Sequence, residues 1–263
     1  MEVVMTVGNV MLKEVVCVTA DDFVTHARQI MRDHHLRSLP VVEDERSMRV
    51  LGMLTDQDVM QISSAHSGVT VRGFATVCPA ITPDTGVEGA CAAMVDARFS
   101  RVPVIRSIDD QTLVGILSTT DLLKKLHPRA HLVVRDIMTE KVVTCLPDDR
   151  IAKIWSTMLE SDYTGLPVLS PKGALIGMVT RYDIIKAGVA RIGLEDEGGT
   201  RAKQSVLVER IMNTPAYTVS PATPVSEAIG MMLKLDVGRL SVVDNNRPVG
   251  IIDRLDAVQA CLP

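Results

Sequence analysis

Residues 39–58, LPVVEDERSMRVLGMLTDQD, decide the fold, because both halves of this stretch return three more times. Leu39-Pro40-Val41-Val42 returns as Val102-Pro103-Val104-Ile105, as Leu166-Pro167-Val168-Leu169 and, with Ser in place of Pro, as Leu240-Ser241-Val242-Val243. Each is a short apolar run rich in β-branched residues, the composition of a buried strand. After a polar turn comes a second apolar run, at residues 50–54, 113–117, 175–179 and 249–252, and each holds one glycine: Gly52, Gly115, Gly177 and Gly250. Six residues beyond each glycine stands an aspartate: Asp58, Asp121, Asp183 and Asp256. Three residues before these aspartates are Thr55, Ser118, Thr180 and Asp253. That spacing is the one a helix N-cap and a carboxylate at the third helical position require, so a short helix is expected at each.

On the N-terminal side, a matching position lies twenty residues before each Pro or Ser: Ala20, Pro83, Pro147 and Pro221. Between these anchors the apolar trios Val24, Ala27, Met31; Val87, Ala90, Met94; Ile151, Ile154, Met158; and Val225, Ala228, Met232 stand at i, i+3, i+7. They mark one face of an amphipathic helix. The unit therefore reads strand, helix, strand, strand, helix. At about 60 residues it has too little core to stand comfortably alone and is expected to bury a sheet face against a neighbour. The motif aspartates are 63, 62 and 73 residues apart. The excess falls in residues 188–204, where GLEDEGGTRAKQ has the composition of an exposed linker. A shorter break, His127-Pro128-Arg129-Ala130-His131, separates the second repeat from the third. The expected division is repeats at 1–66, 67–128, 129–190 and 205–263 with a linker at 191–204, arranged as a pair of pairs.

Composition narrows the function. The 263 residues are 46% hydrophobic and 23% charged, an ordinary globular balance that excludes disorder along the whole chain. A net charge of −4 argues against a cationic nucleic-acid clamp, and 3% aromatic residues argue against a base-stacking platform, so sequence-specific nucleic-acid binding is not expected. No run approaches the roughly 20 apolar residues of a membrane span, and the start, MEVVMTVGNVMLKE, has neither a basic region nor a long apolar run. Cys17, Cys78, Cys91, Cys145 and Cys261 are scattered without a CxxC and read as small buried hydrophobes in a reducing cytoplasm. His34, His35, His127 and His131 lack clustered carboxylates and read as solvated rather than metal-binding. Trp155, beside Ile154, reads as a packing or interface residue. No HExxH, GxSxG, P-loop or GxGxxG is present, and no nucleophile–base pair is visible, so catalysis is not expected.

The tandem (L/V)-P-V-V and G-x-(I/L/V)-(S/T)-x-x-D motifs, with the amphipathic helix between anchor and strand, resemble the CBS domain, the repeat named after cystathionine β-synthase. Four copies in register cover nearly the whole chain, from Val7 to Ala260. The resemblance implies an α/β fold of α+β-type βαββα units. Two units would pack sheet to sheet into a Bateman module with two clefts. Two modules would form a flat disc, within one chain or in a homodimer, as in the gamma subunit of the AMP-activated protein kinase. It also implies AMP, ADP or ATP as ligand, with S-adenosylmethionine-type compounds as a minor option. The role implied is regulatory, toward a protein or nucleoprotein partner.

Read as residues alone, the four aspartates are helix-end groups. The same geometry lets a carboxylate accept two hydrogen bonds from vicinal ribose hydroxyls, and lets a neighbouring hydroxyl donate to phosphate. The resemblance accordingly implies Asp58, Asp121, Asp183 and Asp256 as ribose ligands, and Thr55, Ser118 and Thr180 as contacts to phosphate or ribose hydroxyls. It implies Arg37, Arg101 and Arg239, just before the LPVV-like strands, as phosphate ligands at the disc centre, a task suited to guanidinium. It implies that the backbone at Val16, Pro79, Val143 and Tyr217, in the strand opening each repeat, frames adenine; a plain core strand explains the composition equally well. In the fourth repeat Asp253 replaces the hydroxyl with a second carboxylate, so that cleft is expected to hold phosphate poorly. Two functions of different class stay open: a nucleotide sensor, or a docking protein with largely vestigial clefts that binds a protein or a nucleoprotein particle such as a ribosome.

Overall fold

The computed structural model describes residues 5–62, 68–188 and 206–262; the expected linker at 191–204 lies outside them. The first repeat runs through a 3-10 turn (Val7–Asn9), β1 (Val18–Thr19), α1 (Val24–Asp33), β2 (Ser38–Val42), β3 (Val50–Thr55) and α2 (Asp56–Met60). The second has a 3-10 turn (Val71–Phe74), α3 (Val87–Asp96), β4 (Arg101–Ile105), β5 (Leu113–Ser118) and α4 (Thr119–Leu123). The third has a 3-10 turn (Val134–Asp136), α5 (Ile151–Glu160), β6 (Gly165–Leu169), β7 (Leu175–Thr180) and α6 (Arg181–Lys186). The fourth has a 3-10 turn (Val208–Arg210), β8 (Thr218–Val219), α7 (Val225–Lys234), β9 (Arg239–Asp244), β10 (Arg247–Asp253) and α8 (Arg254–Gln259).

Register is shared by all four units. In each hairpin the motif glycine faces a valine: Val41 with Gly52, Val104 with Gly115, Val168 with Gly177 and Val242 with Gly250. The same valines take a parallel partner from the opening segment: Val18, Ile81, Cys145 and Val219. That opening strand is shorter than expected. Among the described residues it is two residues long in the first and fourth repeats and a single bridge in the others. Val16, Pro79, Val143 and Tyr217 precede it rather than belong to it. Proline explains part of this, because Pro40, Pro103 and Pro167 offer no N–H to extend the parallel ladder.

The apolar trios are fully buried, as helix periodicity demands. Their cores join across the repeats. One buried cluster runs from repeat one (Met31, Leu54, Val59) into repeat three (Trp155, Met158, Ile184), with α2 and α1 packed on α6. Another joins repeat two (Met94, Leu122) to repeat four (Ile229, Val258), with α3 and α4 packed on α8. Two pairs of repeats thus face each other through their helices within one chain, and Trp155 is buried in the cluster shared by repeats one and three.

Within each pair the leading segments cross over. The 3-10 turn before repeat one is tied to repeat two (Val7 N–H to Thr85 O, 2.9 Å), and the turn before repeat two is tied to repeat one (Val71 N–H to Asp22 O, 2.8 Å). The second pair does the same, with Val134 N–H on Thr223 O and Val208 N–H on Asp149 O. Each segment then lies across its partner's glycine-bearing strand through two reciprocal backbone bonds: Leu12 with Ile116, Thr76 with Met53, Thr139 with Ile251 and Asn213 with Met178. This crossing accounts for the four glycines. A Cβ on Gly52 would stand 2.4 Å from Thr76 O, and one on Gly177 would stand 2.8 Å from Asn213 O. On Gly115 and Gly250 it would meet the sulfurs of Met11 and Met138.

Candidate functional site

Each crossing brings the leading segment of one repeat beside the helix-starting aspartate of its partner. Four clefts follow: Asp121 with residues 12–16, Asp58 with 76–79, Asp256 with 139–143 and Asp183 with 213–217. The expected capping boxes are present. Asp58 Oδ2 accepts from the Thr55 N–H and hydroxyl, both at 2.7 Å. Asp121 Oδ2 accepts from Ser118 N–H at 3.0 Å and its hydroxyl at 2.6 Å. Asp183 Oδ2 accepts from Thr180 N–H at 2.8 Å and its hydroxyl at 2.6 Å. These bonds leave Oδ1 of Asp58 and Asp121 without a protein donor among the described residues. Asp183 differs, since its Oδ1 accepts from Asn213 Nδ2 at 2.7 Å.

The fourth box is chemically different. Asp253 Oδ1 takes the N–H groups of Leu255 and Asp256, while Asp256 Oδ2 takes the N–H of Asp253. Two carboxylates therefore cap one helix without an intervening hydroxyl. Burial, and then the charge of Asp253, push the Asp256 carboxyl up to about 7. In the Asp58 cleft burial raises the motif carboxyl as well, opposed by its bonds to Thr55.

Arg37 is a charged neighbour of both Arg101 and Arg239. Arg101 stands across the ladder from Ser118 and Arg239 across from Asp253, so each guanidinium starts beside a helix N-terminus. Burial lowers the Arg101 pKa against the pull of Asp121, with Arg37 and Arg254 as repelling neighbours. Arg239 is pushed down to about 10, first by burial and then by Arg37; Asp253 and Asp56 oppose the shift. Arg239 reaches into repeat three, donates to the Thr164 hydroxyl and leaves a buried Nη1 without a partner among the described residues. Room for it exists because residue 165 is glycine: a Cβ there would lie 2.3 Å from Arg239 Nη1. Gly238 makes room for Arg37 in the same way, at 2.8 Å. Arg37 also lies over the Tyr182 ring, 5.9 Å from its centroid, and the Tyr182 hydroxyl is 2.6 Å from His35 Nδ1.

Sequence periodicity did not single out the residues that bind the facing pairs together. Arg181, 2% exposed, donates to Gln57 Oε1, Met158 O and Asp162 Oδ1 and lies 3.6 Å from buried Asp56. Arg254 repeats this geometry with Thr120, Met232 O and Asp236. Their common place, directly after the cap residue in repeats three and four only, was the available signal. Val143 and Tyr217 are exposed, while Val16 and Pro79 are half-buried. Two open hollows of about 550 and 400 Å³, at Thr19, Asp21 and residues 43–46 and at Ser47, Arg49 and residues 109–112, contain none of the expected site residues. Burial raises Cys91 and Cys145 to about 12 and Cys78 and Cys261 to about 11, so none of these four is a thiolate at neutral pH. Among the described residues no cluster of His, Cys, Asp and Glu could hold a metal ion, and no helix is long and apolar enough to cross a membrane.

The family model for the CBS domain matches residues 7–65, 74–128, 134–190 and 208–262. The chain belongs to the CBS-domain family. Its relatives include the uncharacterized protein MJ1404 of Methanocaldococcus jannaschii, 27% identical over 96% of this chain; the aligned part is 61% of that protein's length. The uncharacterized protein MJ1225 of the same organism is 23% identical over 94% of this chain and 95% of its own. The crystal structure of MJ1225, described there as a proposed archaeal homologue of g-AMPK, superposes with a TM-score of 0.81 over 97% of this chain and 99% of that one. An uncharacterized conserved protein from Pyrococcus horikoshii superposes with a TM-score of 0.66 at 19% identity, over 98% of this chain and all of that one. At these identities the two structures establish the shared four-repeat fold.

Proposed function

We propose that this CBS-domain chain is a non-enzymatic adenine-nucleotide sensor. AMP, ADP or ATP would bind in the clefts and signal to a macromolecular partner in the cytoplasm. The observation that carries this reading is the buried guanidinium of Arg239, whose Nη1 has no protein acceptor among the described residues and which has Arg37 of another repeat beside it at Gly238; Arg37 is also a charged neighbour of Arg101. Burying a guanidinium beside another cation is unfavourable unless an anion joins them, and phosphate accepts from guanidinium bidentately. The sulfonium of an S-adenosylmethionine-type ligand would be repelled by the same groups, so a phosphate-bearing nucleotide fits better. Asp58 and Asp121 would hold ribose through Oδ1. Thr55 and Ser118 would reach a phosphate or ribose hydroxyl, and the backbone at Val16, Pro79 and Val143 would frame the base. Ligand binding would bias how the facing pairs sit, which a partner would read.

Titration of Arg101→Ala and Arg239→Ala with AMP and with adenosine tests this. Both variants should lose at least tenfold in AMP affinity and keep adenosine affinity within about twofold. Equal losses for the two ligands would assign the arginines a structural role. The docking alternative draws on the four aspartates being used as helix caps, and it predicts no stabilisation by ligand. A bound nucleotide at about 100 times its Kd should instead add about 2.7 kcal/mol.

A further inference from the structure

We infer that the Asp183 cleft is filled by the protein's own hydrogen-bond donors and is closed to the ligand class the other clefts accept. This rests on the reading above, that the helix-starting aspartates take ribose and the leading segments frame the base. Two separate contacts on one segment, residues 213–217, support it.

The first contact is Asn213 Nδ2 on Asp183 Oδ1, at 2.7 Å. Since Oδ2 already accepts two bonds from Thr180, Asn213 supplies the donor that a ribose hydroxyl would supply. The Asn213 backbone is fixed by reciprocal bonds with Met178 at 2.8 and 3.0 Å, and Gly177 lets it approach so closely. The amide therefore starts from an anchored position. At the same place the other clefts have Leu12, Thr76 and Thr139, and none of these side chains bonds the facing aspartate.

The second contact is the Ser241 N–H on Tyr217 O, at 3.1 Å. In the other three repeats the matching strand residue is Pro40, Pro103 or Pro167, which has no N–H. The matching carbonyls of Val16, Pro79 and Val143 accordingly have no backbone donor among the described residues. An amino group on a purine could use those three carbonyls; in the Asp183 cleft Ser241 already does. Both polar groups a nucleoside would need are thus satisfied internally, and a ligand must break protein bonds to gain its own. The one repeat that lacks the strand proline is also the one that sends asparagine across its partner.

The test is a count of bound adenosine by native mass spectrometry, with calorimetric affinities, on the full chain and its variants. Asn213→Thr installs the residue of the Asp58 and Asp256 clefts, and Ser241→Pro installs the residue of the sister strands. The combined variant should bind one more adenosine than wild type, or bind at this cleft at least tenfold tighter, and Asp183→Ala on that background should abolish the gain. Asp183→Ala in the wild type should leave the count unchanged. The gain should vanish with 2′,3′-dideoxyadenosine, which a purely structural effect would not produce. Should Ser241→Pro fail to fold, Asn213→Thr alone carries the test. An unchanged count and affinity in the combined variant (or in Asn213→Thr, where Ser241→Pro does not fold), or a lost adenosine in Asp183→Ala, overturns the inference. If Asp58→Ala and Asp121→Ala reduce binding in the same experiments, the wider reading survives that failure. If they do not, the wider reading falls as well.

Discussion

Replacing Asp253 with threonine should make the fold more stable, and by an amount that depends on pH. In the wild type the Asp256 carboxyl is pushed up to about 7, by burial first and by Asp253 second, from an ordinary value of 3.8. A carboxyl raised on folding favours the native state when protonated. Its contribution is complete below about pH 4 and is lost as pH rises through about 7. Two unit charges about 5 Å apart at an effective dielectric near 20 repel by roughly 3 kcal/mol. Partial exposure and the attraction of Arg98 reduce this, so about 1–2 kcal/mol is expected at pH 8. Threonine removes that repulsion and still caps the helix, as Thr55 and Thr180 do in their repeats, at a cost of a few tenths of a kcal/mol. At pH 5, with Asp256 protonated, variant and wild type should melt within about 1 °C of each other. At pH 8 the variant should melt higher by several degrees, since 1 kcal/mol moves Tm by about 2–4 °C in a chain of this size. Thermal denaturation followed by circular dichroism at both pH values measures it. The same difference in Tm at pH 5 and pH 8 would refute the carboxylate-pair argument.

Other perturbations probe the crossing segments and the facing helices. Gly52→Ala should destabilise by about 1–3 kcal/mol in urea denaturation, because its Cβ would press on the anchored backbone oxygen of Thr76. Gly115→Ala, which first meets the movable Met11 side chain, should cost less, and equal costs would contradict the crossing geometry. Arg181→Met should cost about 3 kcal/mol by leaving the buried Asp56 carboxylate without its facing-pair partner. Adding Asp56→Asn should restore more than half of that loss; no restoration in the double variant would mean that the two side chains do not act as a pair.

Much of the fold was legible because it repeats. A single hydrophobic run of five residues cannot distinguish a strand from a buried helix turn. Four runs holding one register with a glycine, a cap and an aspartate could do so, and the trios such as Val24, Ala27 and Met31 landed where helix periodicity put them. The crossing of the leading segments was less legible. Val7 and Val71 stand near the start of their own repeats, and only three-dimensional closure assigns them to their neighbours' cores. Gly52 and Gly177 carried the signal, since a glycine inside a strand marks a close backbone approach. Arg37, Arg101 and Arg239 were picked out only through resemblance. The space they need was not anticipated, although Gly165 and Gly238 stand at positions where sister repeats carry larger residues. Asn213 escaped notice because its effect depends on an aspartate 30 residues away on another repeat.

The central claim, that adenine nucleotide binds at the helix-starting aspartates, is tested most directly by native mass spectrometry of the chain with saturating AMP, beside the Asp58→Ala/Asp121→Ala double variant. At least one and fewer than four AMP are expected per wild-type chain, with loss of that AMP in the double variant. No AMP on the wild type, or the same number on both proteins, would contradict it.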